Sequence, residues 1–320
     1  NTVLSNFEYA VAQTDPEIRR KLMTIVIVGG GPTGVELAGS FVELVNHVLV
    51  RDYPMLDISE ARVVLVEASD KILAAFPAPL QANALQRLQK MGVEVRMKTA
   101  VASVEDGAVT FADGSSIDAS VVIWAAGVRA APLAEMLGVK LGRGGRVPVT
   151  PELHLHDHPE VFVIGDMAFL EYLPRQGAQQ SPYAMVAPVA IQMGERAAKN
   201  IVARTRRKPL KPFKYFDKGN MATIGRRAAV LDSFGIRLTG FIAWMGWLVV
   251  HLMFLVGFRN RVVVLLNWAY SYFTYDRGLR LITGLKPAEL QPMQPRRMQL
   301  TQQLGGGDAK LRTEGRRETA

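Results

Sequence analysis

Cysteine is absent from the 320 residues of this chain. The absence excludes disulfides, thiolate metal sites and a cysteine nucleophile within the chain. Histidine is scarce, with 5 residues, three of which cluster as His154, His156 and His158. Their spacing is compatible with a metal site, but no carboxylate pattern supports one, so we favour an exposed polar loop and expect no metal.

Acidic residues are outnumbered, 29 against 38 Lys and Arg, which gives a net charge of +9. A basic chain favours an anionic partner, such as nucleic acid, a phosphorylated cofactor or an anionic membrane face. No aromatic-and-basic RNA motif and no zinc-finger spacing accompanies the charge, so we expect no nucleic-acid partner. The hydrophobic fraction of 49% is enough for two domains with their own cores.

The chain also lacks an initiator methionine and a signal peptide, since it opens at Asn1 in the middle of a helical pattern, Leu4–Leu22. We therefore expect a fragment whose N-terminal part is missing.

The first half alternates between strand and helix patterns. Buried strands are predicted at Thr24–Val28 and Arg62–Val66, and helices at Val35–Val50 and Pro79–Met91. Shorter strands are predicted at Val93–Met97, Val101–Val104, Ala108–Phe111 and Ser120–Trp124, with a hairpin turn at Asp113-Gly114. This alternation predicts an α/β fold with a doubly wound sheet.

The second half changes character. We predict a strand at Val161–Ile164 and a helix at Val189–Ala203. An uncharged apolar stretch, Thr239–Phe258, is interrupted by Arg259–Arg261 before a second apolar stretch, Val262–Tyr275. The Gln-, Pro- and Gly-rich tail from Pro287 is predicted to be disordered.

A dinucleotide fingerprint lies between the first strand and the first helix. Gly29, Gly31 and Gly34 fit the pattern G-x-G-x-x-G, in which they allow the tight turn, the approach of the pyrophosphate and close helix packing. The helix N-terminus directs free amides at the phosphates. A glycine-rich turn without a ligand is the weaker alternative.

Three acidic residues follow as candidates. Glu67 closes the second strand, where a carboxylate can bind the ribose hydroxyls and repel a 2′-phosphate. It follows the glycine turn at a longer distance than the usual fingerprint, and we interpret Asn46–Glu60 as an insertion that lengthens the crossover. Alternatively, Glu67 is only a solvated acid at the end of a strand. Asp166, after Gly165, fits either a sugar-binding or a plain turn aspartate. Glu36, in the first helical turn, either complements the helix dipole or lies close to a redox centre.

Together these motifs resemble the type II NADH:quinone oxidoreductases, the single-subunit NADH dehydrogenases that do not pump protons. The resemblance covers most of residues 1–285 and is specific because several motifs recur in order. The motifs are Leu4–Ala10, Val28–Gly39, Trp124–Gly127, Val163–Asp166, Ala187–Gln192, Asp217–Gly225 and Gly257–Arg261.

The resemblance implies a nested flavoprotein fold with two Rossmann-like dinucleotide-binding domains and a C-terminal membrane-associating helical region. Residues 1–21 would connect to a split FAD domain, whose first half would precede the chain. The remaining segments would be an NADH domain at 22–128, the second half of the FAD domain at 129–215, a quinone-site and membrane region at 216–285, and a tail at 286–320.

The resemblance also assigns roles to residues. NADH would lie on the glycine turn, Glu67 and Ala126-Gly127, while FAD would contact Gly165, Asp166 and the backbone from Ala187 through Val189 to Ala190. Gln192 and Lys218 would line a quinone site, with Glu36 between the nicotinamide and quinone pockets as a proton relay. The implied reaction passes hydride from NADH to FAD and two electrons on to a quinone.

Other functions stay open at this point. A soluble flavoprotein disulfide reductase or a ferredoxin reductase shares the nested architecture, and an NADH-sensing binding protein would use the nucleotide only as a ligand. The aromatic C-terminal region argues against the soluble reductases.

The aromatic C-terminal region predicts a membrane partner. Trp244, Trp247 and Trp268 suit a membrane interface, and Arg259 and Arg261 suit anionic head groups. A single transmembrane span is one interpretation and a monotopic anchor lying in the interface is the favoured one. We expect the cytoplasmic face of a bacterial inner membrane as the location, and a homodimer is compatible with the sequence.

Overall fold

The computed structural model describes residues 1–105, 107–172, 181–254 and 257–274. Its first sheet is parallel, with strands in the order β3-β2-β1-β7. These strands are β1 (Thr24–Val28), β2 (Arg62–Val66), β3 (Glu94–Arg96) and β7 (Val121–Trp124). Every residue of β1 is buried, which explains its continuous β-branched run. The first two strand predictions are confirmed with identical bounds.

Helices cover one face of this sheet. They are α1 (Thr2–Ala12), α2 (Pro16–Leu22), α3 (Pro32–Leu44), α4 (Val50–Asp52) and α5 (Ala78–Met91). The predicted single helix Leu4–Leu22 is wrong, because Asp15 caps a new helix by accepting a hydrogen bond from the Glu17 amide at 2.8 Å. Helix α3 begins earlier than predicted, with a proline in its first turn, and gives way to a π-helical turn at Val45–Leu49.

The opposite face of the sheet carries strands instead of helices, so the prediction of a doubly wound sheet is wrong in this detail. An antiparallel meander of β4 (Val101–Glu105), β5 (Ala108–Phe111) and β6 (Ser116–Asp118) lies there. Val109, Phe111 and Ile117 of the meander form one buried cluster with Val26 and Val64 of the sheet. The alternation of exposed and buried residues in β6 suits such a one-sided sheet.

The middle segment has a separate core around helix α6 (Ala187–Thr205), which extends the predicted helix at both ends. The short strands here are β8 (Val147–Pro148), β9 (Ala168–Phe169), β10 (Glu171–Tyr172) and β11 (Ser181–Pro182). The predicted strand Val161–Ile164 is wrong: Phe162 makes a single bridge to His154, and Gly165–Met167 forms a 3-10 turn. The short apolar run pairs only briefly with residues 153–155, through the Leu155 amide to the Val161 carbonyl and the Val163 amide to the Leu153 carbonyl, both at 3.0 Å.

The C-terminal part combines a small sheet with two helices. The antiparallel strands are β12 (Asn220–Thr223), β13 (Ala229–Ser233) and β14 (Ile236–Thr239), followed by α7 (Gly240–Phe254) and α8 (Phe258–Thr274). Helix α7 thus covers most of the first apolar stretch, and Arg259–Arg261, which separates the two stretches in the sequence, lies in the first turn of α8.

Both C-terminal helices expose large apolar side chains, including Ile242, Phe258 and Leu266 at 67%, 81% and 63%. Among the described residues, no helix is long and apolar enough to cross a bilayer. The predicted disordered tail lies outside the described residues.

Candidate functional site

The glycine turn has the geometry that its fingerprint requires. Gly29 has φ of 112°, and a Cβ there would lie 2.7 Å from the Ala125 carbonyl carbon. A Cβ on Gly34 would lie 1.8 Å from the Gly29 carbonyl oxygen, so α3 reaches the turn only without a side chain. A Cβ on Gly31 would meet nothing within 4 Å, so Gly31 faces open space at the N-terminus of α3. Two glycines thus build the turn and the third leaves room for a ligand.

Glu67 is held by the turn itself. Its carboxylate accepts hydrogen bonds from the Gly30 amide at 2.6 Å and from the Ser69 amide at 2.8 Å. Burial by itself raises the pKa of Glu67, but the amides of Ser69 and Gly30 outweigh it and leave the pKa lowered. The carboxylate therefore stays ionised beside the turn, where it fixes the loop and presents negative charge.

The end of β7 completes this edge. Trp124 pairs with Val28, and the Ala125 amide donates to the Val28 carbonyl at 2.7 Å. Ala126-Gly127 therefore follows directly beside Gly29, and Gly127 has φ of 106° with open space around its Cα. The sheet thus brings Gly29, Gly31, Glu67 and Ala126-Gly127 together, as parallel strands do at their carboxyl ends.

Helix α3, which begins at the glycine turn, contacts the C-terminal sheet. The Glu36 carboxylate accepts a hydrogen bond from the Thr223 amide at 3.1 Å, and Glu43 accepts one from the Arg226 amide at 2.5 Å. Between them, a Cβ on Gly39 would lie 2.6 Å from the Gly225 nitrogen. Residues 36, 39 and 43 share one face of α3, so this face docks on the turn after β12.

Glu36 is electrostatically unusual. Burial raises its pKa above the ordinary value, while the Thr223 amide and the positive charge of His251 oppose this shift and lower it. A half-buried carboxyl group with a raised pKa can bind and release protons nearer neutral pH, as a relay requires.

The Gly165-Asp166 turn lies against the start of α6. A Cβ on Gly165 would be 3.3 Å from the Ala190 Cβ, so the turn approaches the helix closely. No side chain caps α6 at Val186. Pro188 has no amide and the Val189 and Ala190 amides donate to the Val186 carbonyl at 3.1 and 3.2 Å, so an anionic ligand here would meet the positive end of the helix dipole and the Ala187 amide. Asp166 and Ala187 are exposed at this place, whereas the Val189 side chain is buried in the core and offers only its backbone.

Gln192 on α6 is hydrogen-bonded to the segment that carries Lys218. The Gln192 side chain donates to the Phe216 carbonyl at 3.0 Å and accepts from the Phe216 amide at 2.9 Å. Both polar ends of Gln192 thus hold the chain two residues before Lys218. The Lys218 ammonium lies 5.2 Å from the centre of the Phe254 ring at the end of α7.

Arg146 is a residue that the sequence did not single out. It is 4% exposed, and its Nη1 donates to the Tyr183 carbonyl at 3.1 Å, while Nε and Nη2 have no hydrogen-bond partner among the described residues. Asp166 is a charge close to it, although burial is the larger effect and lowers the pKa of Arg146. Arg146 therefore lies between the Gly165-Asp166 turn and the segment leading into α6. No local motif distinguishes it from the other arginines.

Comparison with known proteins identifies the class. Residues 5–194 match the family model described as pyridine nucleotide-disulphide oxidoreductase, and the chain belongs to this family. Residues 218–275 match the NDH2 C-terminal domain, which groups the chain with the type II NADH dehydrogenases within the family. The fold-class prediction is confirmed by these matches, and membership of this family supports the predicted cofactors FAD and NADH.

Individual relatives agree with this grouping. The type II NADH:quinone oxidoreductase Ndh of Mycobacterium tuberculosis is 40% identical over 291 residues, which is 88% of this chain and 61% of that protein. The enzyme of the same description from Haemophilus influenzae is 34% identical, over 68% of this chain and 49% of that protein. The chain thus spans about half to three fifths of the length of these relatives.

A solved structure shares the fold. The NDH2 of Plasmodium falciparum, determined in complex with NADH, aligns with a TM-score of 0.75 at 16% identity, over 85% of this chain and 70% of that chain. At this identity the likeness concerns the fold alone.

Proposed function

We propose that this chain oxidises NADH and passes the electrons through FAD to a membrane quinone, without pumping protons. The observation that carries the proposal is the contact of Glu36 with Thr223. Through it, the helix that opens at the glycine turn meets the C-terminal sheet on which the apolar helix α7 packs. Glu36 thus connects the helix of the nucleotide site to the sheet that supports the exposed apolar helix α7.

Each site residue has a proposed role. Gly29, Gly31 and Gly34 receive the pyrophosphate, and Glu67 binds the adenosine ribose. Asp166 would hold the ribityl chain of FAD, and the positive end of the α6 dipole would stabilise negative charge on its ring. The charge of Arg146 lies close to Asp166. FAD, when bound, accepts hydride and releases electrons in turn. Gln192 fixes the segment that carries Lys218, whose ammonium orients the quinone oxygen, and Glu36 holds the proton.

A steady-state assay of the flavin-loaded holoenzyme tests the proposal. We expect NADH oxidation with a soluble quinone as acceptor, and much slower oxidation of NADPH. An oxidised disulfide and a ferredoxin serve as competing acceptors in the same assay. Activity with one of these acceptors and none with quinone would refute the proposal in favour of a soluble reductase.

The proposed partners are a quinone and the membrane surface. A monotopic attachment through α7 and α8 at the cytoplasmic face of a bacterial inner membrane agrees with NADH as a substrate made in the cytoplasm and with the exposed apolar side chains of both helices. The homodimer and the absence of a nucleic-acid partner stay predictions.

Replacing Glu67 with arginine tests the nucleotide choice. Glu67→Arg removes the charge that repels a 2′-phosphate and adds one that attracts it, so the kcat/KM ratio of NADH to NADPH should fall at least about tenfold. The hydrogen bonds to Gly30 and Ser69 are also lost, so total activity falls. Glu67→Gln is the matched control, since its side-chain oxygen still accepts one of these bonds. An unchanged NADH to NADPH ratio in Glu67→Arg would contradict the assignment.

Replacing Glu36 with glutamine tests the proton relay. The glutamine amide oxygen can still accept a hydrogen bond from the Thr223 amide, but the amide group does not take up or release a proton. Quinone reduction should therefore slow about 100-fold while NADH binding is retained.

The same variant tests the burial of the carboxyl group. The folded-state pKa of Glu36 is raised, so the folded protein binds more protons than the unfolded chain in the pH range above the ordinary glutamate pKa. Stability therefore falls as pH rises through that window, and Glu36→Gln should remove this slope from the unfolding midpoints. An equal slope in both proteins would contradict the burial argument.

A further inference from the structure

An open cleft of about 390 Å³ lies between helix α5 and the start of helix α7. Helix α5 contributes Arg87 and Lys90 to it, and the turn between β12 and β13 contributes Arg227. Thr239 and Gly240 also line the cleft, where β14 passes into α7. Of the described residues that line the cleft, none is acidic. The fold therefore brings together three positive charges from segments that are distant in sequence.

Helix α5 supplies polar donors from its exposed face. Asn83 and Gln86 lie four residues before Arg87 and Lys90 respectively, so all four side chains share this face and line the cleft. Guanidinium, ammonium and amide groups can all donate hydrogen bonds to an anion. A polar helix face by itself is ordinary solvated surface, so α5 alone would not indicate a ligand.

Arg227 distinguishes the cleft from such a surface. Its φ is 62°, a left-handed conformation that is unfavourable for a residue with a Cβ. The turn that holds it is closed by the Ile224 amide, which donates to the Ala228 carbonyl at 2.8 Å. The neighbouring Arg226 amide donates to Glu43 of α3 at 2.5 Å. The backbone on both sides of Arg227 is thus fixed, and this turn adds the third cation to the cleft.

The cations of α5 have no acidic partner. Neither Arg87 nor Lys90 forms an ion pair with any of the described residues. A neighbouring cavity of about 260 Å³ shares both cations and also contains Glu43 and His47. The Glu43 carboxylate is engaged by the Arg226 amide and does not neutralise them. Two positive charges at the cleft are therefore available to an anion from outside.

The apolar surface of α7 begins at the cleft. Gly240 lines the cleft, and the next two residues, Phe241 and Ile242, are 51% and 67% exposed. The Phe241 ring lies 5.8 Å from the ring of Trp244, a residue type that is common at membrane interfaces. The first turn of α7 contains no acidic residue, so the positive end of its dipole adds to the cations. Positive charge and exposed apolar side chains thus meet within one helical turn, as phosphate and acyl chains do in a phospholipid.

We propose that this cleft, hereafter the headgroup cleft, binds the phosphate of an anionic phospholipid whose acyl chains lie along the exposed side chains of α7. A phosphate diester is negatively charged and accepts hydrogen bonds, which suits a site built from cations and amide donors without an acid. Helix α5 packs on the nucleotide-binding sheet, so a bound headgroup would attach that domain as well as α7 to the membrane surface. The inference rests on the proposed attachment through α7 and α8.

Arg87→Gln combined with Lys90→Gln tests the headgroup cleft by vesicle co-sedimentation. Both side chains are exposed and make no ion pair, so the variant should keep the thermal midpoint of the parent protein. Binding to vesicles of phosphatidylcholine mixed with phosphatidylglycerol should weaken about 30-fold, and binding to phosphatidylcholine alone should change less than about twofold. Lys140→Gln with Lys199→Gln is the matched control. It removes the same charge from exposed positions of the middle segment and should leave both bindings unchanged.

The absence of cysteine allows a single fluorescent label to report on the cleft itself. Asn83→Cys places a polarity-sensitive label on the cleft lining, whereas Gln89→Cys places it on another face of α5 that does not line the cleft. Vesicles with phosphatidylglycerol should shift the emission of the first label more than that of the second. Inorganic phosphate, at an ionic strength matched with chloride, should neither shift the first label nor compete with the vesicles, because it has no acyl chains to contact α7.

Several results would contradict the headgroup cleft. Equal vesicle binding by the cleft variant and the control variant would overturn the inference, and so would equal losses on both kinds of vesicle. Inorganic phosphate that reproduces the label shift would assign the cleft to free phosphate and overturn it as well. Failure of the parent protein to bind any vesicle would instead overturn the proposed attachment through α7 and α8.

Discussion

Replacing Gly34 with alanine is expected to prevent the first domain from folding stably. A Cβ at this position would lie 1.8 Å from the Gly29 carbonyl oxygen, which belongs to the backbone and can move only if the turn opens. Forced overpacking of this kind costs about 3 kcal/mol. We expect a lower unfolding midpoint in thermal denaturation, together with loss of NADH binding.

Gly31→Ala is the matched control for this experiment. The same added methyl group meets nothing within 4 Å, and the backbone of Gly31 has an ordinary φ of −70°. This variant should fold with an unchanged midpoint but bind NADH at least about tenfold more weakly, because the methyl group occupies the approach path of the pyrophosphate. Equal NADH affinity in Gly31→Ala and the parent protein would contradict the role of this turn.

Placing charges on the exposed faces of α7 and α8 should release the protein from membranes. Ile242 and Leu266 are large, apolar and more than half exposed. Transfer of each side chain into the bilayer interface contributes about 2 kcal/mol, so Ile242→Glu combined with Leu266→Glu should weaken binding to anionic vesicles more than about 100-fold. Vesicle co-sedimentation measures this loss.

Leu133→Glu provides the comparison for surface charge alone. Leu133 is 56% exposed and belongs to the 3-10 turn Pro132–Leu137 of the middle segment, outside α7 and α8. This variant should bind vesicles as the parent protein does. Undiminished binding of the double variant would refute attachment through these helices. Substitution is preferable to deletion from residue 238, because such a deletion removes the second half of β14 from the small sheet and takes Ala243 out of its core.

Local patterns predicted the nucleotide turn well. The β-branched run of β1, the glycine spacing and the acid at the end of β2 are determined by neighbours in sequence, and all three lie where they were expected. The hydrogen bonds of Glu67 to Gly30 and Ser69 add a reason for the acid that the fingerprint alone does not contain.

Long-range contacts could not be predicted in the same way. Glu36 and Thr223 are 187 residues apart, and no periodicity links α3 to β12. The same limit applies to Arg146, whose burial results from packing against distant segments. Composition separated two apolar stretches at Arg259–Arg261, but it did not show that these residues belong to the first turn of α8, because Leu, Val and aromatic residues occur on both sides of Gly257.

The central claim is that electrons from NADH reach a quinone held in a lipid phase. The most direct measurement is an anaerobic titration of the flavin-loaded holoenzyme on vesicles that contain quinone, with NADH and quinol quantified together. The account predicts one quinol formed for each NADH oxidised, with one proton taken up from the medium. NADH oxidation without quinol, or with NADPH as the preferred donor, would contradict it.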